Sequence, residues 1–547
     1  MRKLTFAATI AVMSPLATSG ADVELQNGWE AFKDPQARAA GIRLGKALFW
    51  DDQLGSGNGG QYACASCHYQ AGADSHPLRI AAGQQGTTFG SLGVTVADFV
   101  GIAAVADDQA PGGLCASPCD DFVETGPLHV TGRNAPPSVD SNSVHNFWDG
   151  RANFIFNGLD PSGEVRPGLH TAAGMQSVLI RESSQASQAV GPPNSDVEMA
   201  AGGRLFSDLG WKMCHVIPLV NQAGDVADEL EAGGYKVPGG YIRMLNDAFA
   251  GGPLDRFLGT EPVTGVVARV CTTPGQPVDT PVTITEANFT LFFGLAIQAY
   301  EQTLSTAPAI TPTRAMTRAF KELRCNKCHY DDGRSHAVVG DLGRRPFAVT
   351  GVRTLAEEPG VEVADLNLAS PVPNVEAEPG VGFMKSSHLF NLPLTAPYFS
   401  DGSAATLEEM LDFYLRGGNH DLPEKSSQVR VLDASPRERA LVIELMEGLT
   451  DPRIAAGSGP FAHPSLDIPL VDGSILKLIA SDAGEAPNPG LTYYHSVNGV
   501  DTPAPIVGTG APVAPEETLV VAEDAAEVAP PRTRRTRNRV RRPSRQR

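Results

Sequence analysis

The 547 residues, 42% hydrophobic and 19% charged, are enough for about two to four domains with a sizeable core. Formal charge is 43 − 62 = −19, and an acidic body argues against a nucleic-acid partner while favouring encounter with basic ones. The final stretch, Arg532–Arg547, holds nine arginines and no acid, so the rest of the chain sums to −19 − 9 = −28. Such a run reads as a solvated extension, with docking to anionic lipid or an acidic polymer as the alternative.

In chain order, Met1-Arg-Lys3, an apolar run from Leu4 to Leu16 and the small residues Ser19-Gly-Ala21 read as a secretory signal over 1–21, too short to span a membrane. No later stretch is long and apolar enough to span. A short helix holding Trp29 and Phe32 is expected next, then a longer one from Gln36 to Trp50. A glycine-rich turn, Leu54 to Gly60, leads to Cys64-Ala-Ser-Cys67-His68. The segment from His68 to Arg133 reads as loop, 154–177 as an inserted loop and 251–284 as a surface excursion rich in Pro, Gly and Thr. Thr285 caps a strong apolar helix carrying Phe289, Phe292, Leu295 and Tyr300. After a Pro/Thr linker, a helix over 313–323 feeds a second motif, Cys325-Asn-Lys-Cys328-His329. Helices at 406–415 and 436–449 follow, and beyond Pro469 the composition turns to a low-complexity tail.

Two cysteines three apart can each add across a haem vinyl group, and the adjacent histidine then falls beneath the iron. Zinc would need four ligands close together, and a dithiol needs no trailing histidine, so the repeated motif predicts two covalent c-type haems. Attachment through cysteine fits an oxidising compartment, for a bacterial chain the periplasm. Cys115, Cys119, Cys214 and Cys271 lie outside the motifs; by proximity the expected pairs are Cys115–Cys119 and Cys214–Cys271, with free buried thiols as the alternative.

The residues around these motifs resemble the bacterial di-haem cytochrome c peroxidases and their relatives. The resemblance rests on Leu48-Phe-Trp-Asp51, Arg133-Asn-Ala-Pro136, Phe147-Trp-Asp-Gly-Arg151, and Gln188 with Pro192 and Glu198. In the second half it rests on Leu394-Thr-Ala-Pro-Tyr-Phe399, Asp401-Gly402 and Ala405-Thr-Leu-Glu-Glu409. It implies a mainly α fold of two cytochrome c-like haem domains with long loop insertions and a disordered C-terminal tail. The domains would span 22–306, the peroxidatic half, and 307–468, the electron-transfer half, with the tail at 469–547.

It further implies that Cys64, Cys67 and His68 hold the peroxide-reducing haem, and that Cys325, Cys328 and His329 hold the one that receives electrons. Trp148 would relay electrons between them. Glu198 would be the distal acid/base, in a pocket shaped by Gln188 and Pro192. Asn134, with the backbone carbonyls of Thr350 and Val352, would bind one calcium ion, although Val352 stands where many members have proline.

The chain departs from the family at its sixth ligands. For the first haem the candidates are His129, His76 or none. For the second they are Met384, two positions off the family's methionine, or His388. The implied activity is reduction of hydrogen peroxide to water with electrons from a small c-type cytochrome or cupredoxin, in a protein that is commonly a homodimer. Three rivals remain open: a protein-modifying oxidase of the kind that matures tryptophan tryptophylquinone, with an open first haem and a tyrosine on the second; an oxygenase acting on an apolar polymer; and a two-haem electron carrier.

Overall fold

A computed structural model of the chain describes residues 23–55, 62–69, 71–73, 131, 133–142, 145–163, 168–195, 198–200, 204–273, 276–331, 347–354, 383–469 and 475–481. It also gives the backbone of short strands at 79–80, 88–89, 92–95, 115–116, 128–130, 338–340, 493–497 and 500–504. The expected signal segment, His76 and the arginine tail lie outside the described residues. All described residues belong to one compact unit ending at Ala511.

The architecture is mostly helical with short sheets. Helix α1, Pro35–Trp50, starts where Asp34 accepts the Ala37 amide at 2.8 Å and Pro35 supplies a preset φ. Helices α2, Ser184–Ala189, α3, Phe206–His215, α4, Asp225–Ala232, and α5, Gly240–Phe249, follow. Thr283 and Glu286 form a capping box at α6, Ile284–Ala287, and the chain then enters α7, Phe289–Glu301. In the second half, Thr313, Thr406 and Ser435 cap α8, Arg314–Glu322, α9, Leu407–Leu415, and α10, Pro436–Gly448.

Every residue of α7 is buried, because α1 packs along it. Gly45 makes that approach possible: a Cβ there would lie 1.8 Å from the Ala296 carbonyl oxygen. This first core also takes in Leu44, Leu48, Phe249 and Phe292. A separate core gathers Met316, Phe320, Leu411, Val442, Leu445 and Met446 from α8, α9 and α10. Between the cores, the linker is fastened by Asp451, which accepts the Ala307 amide at 2.7 Å, and by Asn391, whose Nδ2 donates to Thr306 Oγ1 at 2.7 Å.

The chain then returns to the first core. Phe461, Leu466, Ile468, Leu476 and Leu478 all bury against it. Strands Leu466–Pro469, Ile475–Leu478, Tyr493–Val497 and Val500–Ala504 form a four-stranded antiparallel meander. Regular structure thus continues past Pro469, where composition alone places the start of the tail. Alternation in Ile475-Leu-Lys-Leu478, with both leucines buried, is the local cause.

The excursion at 251–284 is a long hairpin, Pro262–Thr273 with Gln276–Thr283, packed on α3 through Trp211, Ala268, Val270 and Val282. Its ladder sets Cys271 opposite Cys115. Cys214 is a free, buried thiol, so the expected Cys214–Cys271 pair is not formed; Cys119 lies outside the described residues. Among the described residues no helix is long and apolar enough to cross a membrane.

Candidate haem sites and the groups between them

The first motif is delivered by the end of α1. Asp51 is fully buried there, and its Oδ2 accepts Tyr241 Oη at 2.6 Å and the Leu219 amide at 3.0 Å. The Tyr62 amide donates to the Asp52 carbonyl at 2.9 Å and the Gly55 amide to the Tyr62 carbonyl at 2.7 Å, drawing the ends of the glycine-rich loop together. A single 3-10 turn, Cys64–Ser66, then sets His68, whose amide bonds the Cys64 carbonyl at 3.1 Å. His68 Nδ1 lies 2.7 Å from the Gly72 carbonyl and must carry the proton, so the lone pair is left on Nε2. That is the donor set a c-type haem requires. Burial pushes the Cys64 thiol well up, a cost that conversion to a thioether removes.

The second motif repeats this logic. Arg324 turns the chain at φ 65° into the 3-10 turn Cys325–Lys327. His329 Nδ1 donates to the Ser387 carbonyl at 2.9 Å, and burial lowers the ring to about 4, keeping it neutral and free to ligate through Nε2. Burial pushes Cys325 up to about 12.

Met384 and His388 flank Ser387 on the same segment. Met384 is half-buried in a two-residue strand opposite Ala348. His388 uses both ring nitrogens: Nε2 donates to the Val139 carbonyl at 3.0 Å and Nδ1 accepts the Phe390 amide at 3.3 Å. In this arrangement it is not available to iron.

Tyr414, which motif reading passed over, packs on the second core with Cys325, and its ring meets Phe399 and Phe413 edge-on at 5.9 Å and 5.0 Å. Burial, then Cys328 and Cys325, push its phenol up. At helical spacing from Leu407 and Leu411 it reads as one more apolar-face residue, and a phenol where phenylalanine would serve is the only sequence signal.

Trp148 sits at a junction of the two halves. Its indole N–H donates to the Asn134 carbonyl at 2.8 Å, and its own carbonyl accepts the Lys385 amide at 2.6 Å. Asn134 in turn gives its amide to the Ser400 carbonyl at 2.7 Å and Nδ2 to the Pro397 carbonyl at 3.4 Å. Phe147, just before the tryptophan, has φ 60°, a left-handed value uncommon outside glycine. Of the expected calcium carbonyls, Val352 accepts Asn419 Nδ2 at 3.3 Å.

Glu198 lies on the turn that follows α2 and the 3-10 turn Pro192–Asn194. Burial raises its carboxyl above the usual range, against the pull of the Ser195 hydroxyl and Arg151. The Arg151 guanidinium lies 5.3 Å over the Phe147 ring, and a Cβ on Gly191 would touch that ring at 3.0 Å. Glu198, Arg151 and Phe147 therefore share one neighbourhood with the turn after α2. Gln188 is half-buried on α2.

A second buried acid was not anticipated, because it ends an apolar helix. Glu301 accepts Ser141 Oγ at 3.1 Å, which accepts Gln185 Nε2 at 2.8 Å. Burial pushes it up to about 8. Lys385, its electrostatic partner from the second half, donates to Asn146 Oδ1 at 3.1 Å and is lowered by burial to about 8. Of the first haem's candidate sixth ligands, His76 and the side chain of His129 lie outside the described residues.

Residues 39–226 match the family model for di-haem cytochrome c peroxidase. This segment is di-haem cytochrome c peroxidase-like. It contains the first haem motif, Asn134, Trp148, Gln188 and Glu198, and ends before the second motif. Two solved structures are similar in outline. One is a MauG-like protein associated with microbial copper homeostasis: 19% identity, 76% of this chain and 90% of that one covered, TM-score 0.39. The other is the diheme peroxidase BthA from Burkholderia thailandensis E264: 15% identity, 77% and 88% covered, TM-score 0.38. No curated protein matches.

Proposed function

We propose that this protein is a periplasmic di-haem c-type peroxidase that reduces hydrogen peroxide to water with electrons from a small redox protein. The observation that carries this reading is the half-buried Glu198 carboxyl on the turn after Pro192–Asn194, raised by burial against the pull of Ser195 and Arg151. When bound, the two haems supply the iron that coordinates peroxide and the one-electron steps that reduce it. The chain's own groups hold the irons, move the protons and join the two halves.

His68 and His329 each present an Nε2 lone pair, fixed by the carbonyl on Nδ1. Glu198, as anion, takes the proton from one peroxide oxygen and, as acid, returns it to the oxygen that leaves. Two electrons and two further protons then balance the reduction of peroxide to two waters. Gln188 orients the peroxide beside Glu198, and Trp148, tied to both halves through Asn134 and Lys385, lies on the electron path. The domains follow as 22–306 and 307–468, with the signal at 1–21 removed on export. The acidic body favours a basic cytochrome or cupredoxin as donor, and a homodimer is included in the reading.

Calcium at Asn134, Thr350 and Val352 is part of the same proposal. Asn134 Nδ2 donates to the Pro397 carbonyl, which supports a reading in which Oδ1 is the atom that meets the cation. Metal analysis of the purified protein should find about one calcium per chain, as one octahedral-to-larger oxygen site requires. Protein without calcium would remove this part.

The test of the whole is stopped-flow oxidation of a reduced small c-type cytochrome by hydrogen peroxide, starting from fully oxidised or half-reduced enzyme. Fast turnover from both states means an open first haem. Turnover only after half-reduction means that a histidine such as His129 or His76 gates it. No turnover from either state sinks the reading. Tyr414 beside Cys325 and Cys328 favours one second reading, oxidation of a protein substrate through a tyrosine-ligated second haem.

A further inference from the structure

The first haem motif is flanked by a run of touching rings that peroxide reduction does not use. Phe49 and Trp50 close α1, and α7 supplies Tyr300. Between centroids, the Phe49 ring lies 6.3 Å from His68, 5.4 Å from Tyr300 and 6.0 Å from Trp50. Trp50 Nε1–H donates to Tyr300 Oη at 3.1 Å. His463, carried in by the returning C-terminal segment, stacks on the indole at 4.9 Å with 17° between the planes. Phe49, Trp50, Tyr300 and His463 are all buried, none more than 4% exposed.

Packing alone would be met by phenylalanine and leucine here. Instead the end of α1 carries an indole whose N–H must be satisfied inside the core, and a phenol oxygen is placed to accept it. His463 keeps Nε2 buried without a hydrogen-bond partner, which packing would also not select. Burial lowers its ring to about 4, so it faces the indole uncharged. Lys46 Nζ lies 6.0 Å from the centre of the Tyr300 ring, and a nearby ammonium makes that ring harder to oxidise. The hydrogen bond and neutral stack favour loss of an electron from Trp50; the cation disfavours it from Tyr300.

We propose that Trp50, set by Tyr300 and His463, is an auxiliary one-electron donor that fills an oxidising equivalent at the first haem site through Phe49 and His68. The proposal rests on the peroxidase reading. Hydrogen peroxide is the oxidant: its reduction to two waters consumes two electrons and two protons. When the donor protein has supplied fewer than two electrons, the Trp50 indole gives one. Its N–H stays bonded to Tyr300 Oη, so no proton has to leave, and the donor protein later returns the electron. Electron transfer slows steeply with distance, and one bridging ring between His68 and the indole keeps the step short. The relay thus spares the haem and its surroundings when peroxide outruns reductant.

The test mixes fully oxidised holoenzyme with hydrogen peroxide and no donor, freeze-quenches it for electron paramagnetic resonance, and follows the haem spectrum of the same sample. Wild-type protein should give an organic radical whose lines narrow when tryptophan is ring-deuterated. Trp50→Phe should lose that radical and its haems should bleach faster. Tyr300→Phe, which removes only the hydroxyl, should keep the radical with an altered line shape. A deuterium-sensitive radical undiminished in Trp50→Phe would assign it to another tryptophan and overturn the relay. If Trp50→Phe fails to fold, an unaltered yield and line shape in Tyr300→Phe overturns it. A wild-type haem spectrum that responds to peroxide with no radical overturns the relay alone. A spectrum that responds neither in this sample nor in one half-reduced before mixing overturns the peroxidase reading and the relay together.

Discussion

Glu198→Gln is expected to lower peroxide turnover by about 10²–10⁴-fold, the usual weight of a positioned acid/base group, with both haems still attached. Glutamine keeps the shape and can still accept the Ser195 hydrogen bond, so an effect of this size isolates the proton. The pH profile adds a second readout. Because burial raises the Glu198 carboxyl, its working anion forms only as pH climbs through that raised value. Wild-type kcat/KM for peroxide should therefore fall on the acid side, along a limb that the glutamine variant lacks. The linked stability runs the other way: a carboxyl raised on folding costs stability progressively as pH rises from its unfolded value to its folded one. The glutamine variant should thus be no less stable at neutral pH, which separates lost chemistry from lost fold. Unchanged turnover, with the haem content confirmed by absorbance, would end the assignment.

What could be read from the chain alone follows from where the physics is local. A haem-attachment motif is five consecutive residues, and its histidine needs only a nearby carbonyl, so Cys64–His68 and Cys325–His329 are legible at once. Helices with side-chain caps are equally local: Thr313, Thr406 and Ser435 start their helices within a residue of the expected positions. The helix expected to be capped by Thr285 is instead capped two residues earlier, by a capping box on Thr283, because Glu286 closes the pair. The long hairpin at 262–283 was hidden by prolines and glycines that argue against strands. It is held by burial against α3, which no window of sequence reveals. His388, the alternative to Met384, is ruled out by Val139, far away in sequence, whose carbonyl takes its Nε2. Glu301 and Lys385 were invisible for the same reason, since each is remarkable only in the company of the other.

The sixth position of the second haem site gives the other large expected effect. Two side chains compete for it: Met384, expected from the resemblance, and Tyr414, which packs with Cys325 on the second core. Axial-ligand identity spans about 0.8 V of potential among haem proteins, so removing the true ligand should move the second haem by on the order of 0.1 V. The sign tells the two apart. A phenolate stabilises the oxidised iron, so Tyr414→Phe should raise the potential if Tyr414 ligates; a thioether favours the reduced iron, so Met384→Leu should lower it if Met384 does. We expect Met384→Leu to lower the potential and Tyr414→Phe to leave it in place, as the peroxidase reading requires. A tyrosine-ligated second haem is slow to pass electrons inward and able to hold an oxidising equivalent, which is the property a protein-oxidising enzyme needs. The opposite pattern, a rise with Tyr414→Phe and none with Met384→Leu, would make that protein-oxidising enzyme the better account than plain peroxide reduction.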